Sequence, residues 1–205
     1  MQDQTTIYFI RHGEVENPKQ IIYGRRNFPL SNHGQSQMER LAKYLKSLKT
    51  IPDIIYTSPL ERGRQSTEKL HEEFSSILVV EDERLQEIDV GALYGRSIAW
   101  NNSIQRDVYT FAKNNGLRIE FPESIIKRMM VVLNDALEKH KGKTIFVMSH
   151  GDPITFLLWR LLHPNSSIPS YVYVTKGNFL REAQAWEMIF DAQGKLMQHM
   201  LISTT

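Results

Sequence analysis

The sequence predicts an α/β protein of three layers: helices on both faces of a doubly wound, mostly parallel sheet, with a small cap excursion over it. Three observations predict this. Short apolar runs alternate with longer amphipathic stretches along most of the chain, the pattern of successive βα units. One helical stretch, "PITFLLWRLL" (153–162), is apolar almost all round and so belongs inside the molecule. Between 81 and 121 the periodicity lapses, and Gly91, Gly95 and Gly116 punctuate an excursion over the sheet that is only partly helical. The 205 residues suit one domain, 1–205, with 81–121 as an inserted cap-like segment.

The elements follow in order. Ile7–Ile10 is a short apolar strand. "LSNHGQSQMERLAKYLKSL" sets Met38, Leu41, Leu45 and Leu48 at helical spacing. "DIIYTS" reads as a strand, "PLERGRQSTEKLHEEF" as a helix and "SILVV" (76–80) as a strand. After the excursion, "PESIIKRMMVVLNDALEKHKG" carries apolar residues at 125, 126, 129, 130, 133 and 137, and Gly142 suits the helix end. "KTIFVMS" (143–149) is the most apolar strand. "SYVYVT" (170–175) and "AWEMIF" close the sheet, and "KLMQHMLI" adds an edge strand.

Composition removes several classes of function. The chain is 41% apolar and 23% charged, as in ordinary globular proteins, with 25 basic residues against 23 acidic ones. A net charge of +2 carries no nucleic-acid footprint, although a balanced total can still hide a local basic pocket. The absence of cysteine excludes disulfides, thiolate catalysis and cysteine-ligated zinc or iron–sulfur centres. No basic stretch followed by a long apolar run opens the chain, and no apolar segment is long enough to span a bilayer. The expectation is a cytoplasmic protein with no membrane partner.

Three strand-to-helix junctions share one design: "YFIRHGE", "IYTSPLER" and "FVMSHGDP". In the second, Ser58, Pro59 and Glu61 read as N-cap, N1 and N3 of a capping box, which brings Arg62 into the first turn. In the third, Asp152 and Pro153 read as N-cap and N1, with His150 just before the helix. In a parallel sheet all three exits open at the carboxyl edge, where open α/β sheets bind ligands. Arg11, His12, Arg62 and His150 are thereby candidates to converge. Two guanidinium forks, two imidazoles and helix N-termini suit a tetrahedral dianion such as phosphate.

Taken singly, each residue has a plainer explanation. A lone arginine after a strand is ordinarily solvated, and a lone histidine is ordinarily neutral and structural, as expected of His33, His71, His140, His163 and His199. His12 and His150 differ because Gly13 and Gly151 follow them, and a residue without a side chain lets backbone or ligand come close. Gly151 is a ligand-binding candidate for that reason. A metal site is disfavoured: Arg11 and Arg62 would repel a dication, and no H-E-x-x-H or H-x-H spacing is present. No cofactor is expected.

These blocks resemble the histidine phosphatases, the phosphoglycerate mutase-like superfamily. Arg11-His12-Gly13-Glu14 with Asn17 is similar to the signature of its RHGE branch. "YGRRNFPLSNHGQSQ", "IYTSPLERGRQST", "LQEIDVGALYG", "PESIIKR" and "FVMSHGDPI" follow in the expected order. The resemblance implies that His12 is the nucleophile carrying the phosphoryl group. It implies that Arg11, Arg62 and His150 hold the phosphoryl oxygens, with Asn17 assisting, and that Tyr23 and Gly24 lie near the substrate. It makes Glu87 the proton donor; read alone, Glu87 is a solvated glutamate in the acidic stretch "EDERLQE".

Two departures stand out. Val15 occupies the position where many members carry Thr or Ser, whose hydroxyl serves the phosphate. The segment Ser97–Phe121 has only the isolated cations Arg106, Lys113 and Arg118, whereas the glycolytic mutases carry paired arginines there. The expectation is therefore a metal-independent phosphatase acting on a small phosphorylated metabolite. A cofactor-dependent phosphoglycerate mutase and a non-catalytic phospholigand-binding module are the alternatives. Tyr23, Arg25, Arg26, Trp100, Arg106 and Tyr109 are candidates for the entrance. Neither the substrate nor the oligomeric state is legible in the sequence.

Overall fold

A computed structural model describes residues 4–104, 107–168, 174–177 and 179–204. Its six-stranded sheet has the order β3-β2-β4-β1-β5-β6. The strands are β1 (Thr5–Arg11), β2 (Ile54–Thr57), β3 (Val79–Glu81), β4 (Thr144–Ser149), β5 (Ala185–Phe190) and β6 (Leu196–Ile202). The first four run parallel, and β5 pairs antiparallel with both β1 and β6. The sheet is thus a parallel core extended by an antiparallel hairpin.

Both faces are covered, which explains strands that are apolar at consecutive positions. Ile7 and Phe9 of β1 pack into a core shared with α5 (Pro122–Lys139) and α6 (Gly151–Leu162). Tyr8 and Ile10 point the other way, into a core with Met38, Leu41 and Leu45 of α1 (Asn32–Ser47) and Leu70 of α2 (Glu61–Glu73). Ser31 caps α1, its hydroxyl accepting from the Gly34 amide at 3.0 Å. Leu48, expected on the buried stripe, lies past the end of α1 and is exposed.

The 81–121 segment holds 3₁₀ turns at Glu83–Leu85 and Gly91–Leu93 and two short helices, α3 (Ile98–Ser103) and α4 (Val108–Asn114). Leu85, Ile88, Val90, Leu93, Val108 and Tyr109 are buried in the α5–α6 core, so the segment is welded to that face rather than draped over it.

Strand register sets the exits level. Arg11 is paired with Ser149, Met148 with Thr57, and Thr57 with Glu81. The next residues along β1, β2 and β4 are His12, Ser58 and His150, and β3 leads into the segment that carries Glu87.

Several expectations need correction. Ser58 is not an N-cap: α2 begins at Glu61 with Leu60 as its cap residue, and the Glu61 amide donates to Asn27 Oδ1 at 3.3 Å. Asp152 is not an N-cap either. His150 has extended backbone (φ −132°, ψ 171°) and takes that position, so Asp152 falls in the first turn of α6. The strand expected at 76–80 starts only at Val79, because the chain turns after α2 and leaves Leu78 exposed. The strand expected at 170–175 lies mostly outside the described residues; Val174 and Thr175 are helical. Among the described residues no helix is long and apolar enough to cross a membrane.

Candidate active site

At the carboxyl edge of the sheet, Arg62 is fully buried between two imidazoles. Its Nε–H is directed at His12 Nε2 (3.3 Å) and His150 Nδ1 (3.2 Å). Its terminal nitrogens donate to two carbonyls of the preceding loop, Arg26 (2.9 Å) and Gly24 (2.8 Å). The Tyr23 ring faces the guanidinium at 4.9 Å and stacks on Phe28. A buried guanidinium is costly unless its donors are met. Backbone carbonyls meet them here without cancelling the charge.

These contacts fix the tautomers. The Gly13 carbonyl can only accept, so His12 Nδ1, 2.7 Å away, carries the proton and Nε2 presents its lone pair. His150 is the reverse: Nδ1 accepts from Arg62, and Nε2–H donates to Ser58 Oγ at 2.8 Å. Burial first, and then the arginine charges, hold both imidazoles well below the usual histidine range. The result is two neutral histidines, 5.0 Å apart between ring centres, in a cationic pocket.

Close backbone packing fixes His12. Gly13 lies against the N-terminus of α1, where a Cβ would meet the Gly34 carbonyl oxygen at 2.4 Å. Its amide donates to the buried Ser66 hydroxyl at 3.2 Å. The glycine after His12 thus serves helix packing rather than ligand approach. Gly151 does serve a side chain: a Cβ there would come within 3.2 Å of Arg11 Nη1 and of the Phe179 ring. Arg11 donates through Nη1 to the Leu180 carbonyl at 2.6 Å and through Nη2 to Glu182 at 2.5 Å, and stacks on Phe179 at 5.1 Å.

Glu87 faces this cluster. Burial and the nearby Asp152 charge push its carboxyl up to about 7, against the opposing pull of Arg62 and Arg11. Its backbone is gripped from behind. Arg25 Nε donates to the Glu87 carbonyl at 2.9 Å, Arg128 approaches the same oxygen at 3.4 Å, and both arginines bind Glu120.

The remaining candidates divide. Gly24 (φ +49°) contributes its carbonyl to Arg62, and a Cβ there would meet Val90 Cγ2 at 2.5 Å. Asn17 braces its own loop, its side chain bonding Ile21 N (3.2 Å) and Ile21 O (2.9 Å). Val15 makes an isolated antiparallel bridge with Leu30. Arg25, expected at the entrance, lies behind Glu87. Trp100 packs against Arg96 and Phe111. Arg106 lies outside the described residues. Among the described residues no group of three or more His, Asp or Glu is arranged to hold a metal ion.

The chain matches the family model of the histidine phosphatase superfamily, branch 1, over residues 7–177. It belongs to that superfamily. "Probable phosphatase C1620.13" of Schizosaccharomyces pombe is 30% identical over 176 residues, 82% of this chain and 60% of that protein, so the chain spans less than two thirds of that relative. "Probable phosphoglycerate mutase GpmB" of Proteus mirabilis is 32% identical over 172 residues, 80% of this chain and 76% of that protein. The crystal structure of a phosphoserine phosphatase in complex with 3-phosphoglyceric acid from Entamoeba histolytica superposes with a TM-score of 0.77 at 26% identity, covering 98% of each chain. This histidine phosphatase superfamily member therefore has both phosphatases and mutase-like proteins among its relatives.

Sequence reasoning missed Ser66, Phe179 and Glu182, and gave Ser58 a different role. Ser58 carried a signal, a polar residue at a strand exit, but its hydroxyl serves His150 rather than a helix. Glu182 lies 171 residues from the arginine it binds, and no local pattern announces such a pair.

Proposed function

We propose that this protein is a phosphatase that hydrolyses small phosphomonoesters through a phosphohistidine on His12. The observation that carries this reading is the Nε2 lone pair of His12, held by the Nδ1–Gly13 bond in a pocket charged by Arg62. Phosphoryl transfer asks the protein mainly for alignment and charge neutralisation. A neutral imidazole beside a fixed guanidinium meets both needs.

In the first step His12 Nε2 bonds to phosphorus, the ester P–O bond breaks, and the leaving oxygen takes the proton of Glu87. In the second, the Glu87 carboxylate removes a proton from water. The hydroxide oxygen bonds to phosphorus, the N–P bond breaks, and phosphate leaves neutral His12 behind. Arg62, Arg11 and His150 Nε2–H are the donors to the phosphoryl oxygens, with Glu182 and Ser58 yielding their present partners.

The test is phosphate release, in EDTA, from a panel of phosphomonoesters in which small phosphorylated acids come first. Hydrolysis is expected to exceed any isomerisation of phosphoglycerate primed by 2,3-bisphosphoglycerate. Faster isomerisation would make the chain a mutase, and tight phosphoester binding with no turnover would make it a binding module.

A further inference from the structure

Residues 24–26 face two ways. The carbonyls of Gly24 and Arg26 accept from the terminal nitrogens of Arg62, at 2.8 and 2.9 Å. The side chain of Arg25, between them, goes to Glu87: its Nε–H donates to the Glu87 carbonyl at 2.9 Å. One short stretch of chain thus holds both the guanidinium meant for phosphate and the backbone of the proton donor. Gly24 keeps the two close, since a Cβ there would come within 3.0 Å of the Ile88 carbonyl oxygen. The Glu87 carboxyl in turn accepts from the Ile88 amide through Oε1 at 3.0 Å, so its place follows the backbone that Arg25 holds.

Glu120 keeps Arg25 aimed. Its Oε2 accepts from Arg25 Nη2 at 2.9 Å and from Arg128 Nη2 at 3.1 Å, and its Oε1 accepts from Arg128 Nε at 2.7 Å. The pair with Arg128 is bidentate and mostly buried, an arrangement in which guanidinium and carboxylate fix each other's orientation. Arg128 reaches from α5 and also donates to the Arg84 carbonyl at 2.6 Å, which fastens the 84–87 segment to a long helix. Arg25 comes instead from the loop that binds Arg62, and its side chain is 37% exposed.

We propose that Arg25 is a positioning residue for proton transfer, setting Glu87 against the phosphoryl group that Arg62 holds. The inference rests on the phosphatase reading, with Glu87 as proton donor. A general acid works only within hydrogen-bond reach of the leaving oxygen, so a small displacement of its backbone weighs heavily on rate. Without Arg25 the segment still keeps two fastenings to the fold, Arg128 on the Arg84 carbonyl and Ser149 Oγ on the Leu85 carbonyl at 2.7 Å. What is lost is the alignment of Glu87 with Arg62, and the loss falls on leaving groups that need a proton.

The experiment compares kcat/KM for an alkyl phosphate and for p-nitrophenyl phosphate in the full chain. Departure of the alcohol or phenol makes the first step irreversible, so kcat/KM reports that departure and not dephosphorylation of His12. Arg25→Ala should lower it about 10-fold on the alkyl ester, part of the roughly 10²-fold or more that a general acid contributes, and at most about 2-fold on the nitrophenyl ester. Thermal melts establish that the variant is folded. Guanidinium chloride, too dilute to unfold the protein, should restore part of the alkyl-ester activity of Arg25→Ala, because the vacated position is open to solvent. Sodium chloride at equal ionic strength should not. Arg25→Lys, gentler on the fold, should show the same split, since an ammonium lacks the planar fork that serves Glu87 and Glu120 together. In a Glu87→Gln background, Arg25→Ala should add little further loss on the alkyl ester. Equal losses on the two esters in a folded Arg25 variant overturn the proposal, as does a loss that adds fully to that of Glu87→Gln. A parent protein that hydrolyses neither ester sinks the phosphatase reading and this proposal with it. A parent that hydrolyses both, with equal losses in the variants, sinks this proposal alone.

Discussion

The Nε–H of Arg62 is aimed at Nε2 of His12 across 3.3 Å, so the lone pair of the proposed nucleophile already faces a charged donor. A transferred phosphoryl group would take over the donor that the lone pair now occupies. His12→Ala should therefore abolish turnover and leave the fold in place. Rapid quench with labelled substrate should trap an acid-labile, base-stable phosphoprotein in the parent and none in the variant. Label on serine or aspartate would exclude the histidine route.

Arg62 makes four polar contacts, and lysine cannot reproduce them, because its ammonium lacks the planar fork. Arg62→Lys should cost on the order of 3 kcal/mol in transition-state stabilisation, roughly 10²-fold in kcat/KM, as when one oxyanion donor is removed. Arg62→Ala should also destabilise the fold by about 1–3 kcal/mol, since the carbonyls of Gly24 and Arg26 lose their donor. Thermal melts beside steady-state kinetics separate the two effects. Near-normal kcat/KM in Arg62→Lys would remove the residue from the chemistry.

Glu87, raised to about 7, is protonated in slightly acidic solution and ionises above neutrality. Turnover of an alkyl phosphate limited by the first step should fall as pH rises through about 7, because the leaving oxygen then lacks its proton. The limb should be missing for p-nitrophenyl phosphate, whose leaving group departs as an anion. Glu87→Gln should likewise lose most activity on alkyl esters and least on the nitrophenyl ester, until dephosphorylation of His12 becomes limiting. Equal losses on both would show that Glu87 does not protonate the leaving group.

The two buried imidazoles also predict acid sensitivity. Both have folded-state affinities for protons below the ordinary histidine value of 6.5. As pH falls through 6.5 the unfolded chain takes up protons that the folded chain refuses, so stability drops. Glu87 acts oppositely, since its raised value favours the folded state at low pH and that contribution is lost as pH rises through about 7. Two histidines against one glutamate leave a net loss of stability toward acid. Melting curves from pH 7.5 to 5.5 should show it, with a shallower slope in His12→Gln. A slope unchanged by that substitution would mean that His12 is protonated in the folded protein.

Much of the site was legible because its residues sit at the ends of strands whose pattern is strong. β1, β2 and β4 are short apolar runs, each followed within a few residues by a basic group, and the parallel topology aligned them. What failed was local chemistry with two solutions. Ser58 reads as an N-cap because serine before Pro59 and Glu61 usually is one, but the buried His150 Nε2–H is the partner it satisfies. Asp152 reads as a cap for the same reason, while the extended backbone of His150 already ends the strand and begins the helix. The grip of Arg25 and Arg128 on the Glu87 carbonyl was out of reach, because it joins three loops and helices that are distant in sequence.

β1 has a partner on each side, with β4 and β5 flanking it in the middle of the sheet. Its amides should be among the slowest in the molecule to exchange with deuterated solvent, whereas the short helices and 3₁₀ turns of 81–121 should open first. Its buried side chains tie that segment to the α5–α6 core, but warming should still loosen it, with Glu87 and Tyr109, before the doubly paired β1 that leads into His12. Such a protein would lose leaving-group discrimination before it lost the power to form a phosphohistidine, and substrates with good leaving groups would be the last it could still turn over.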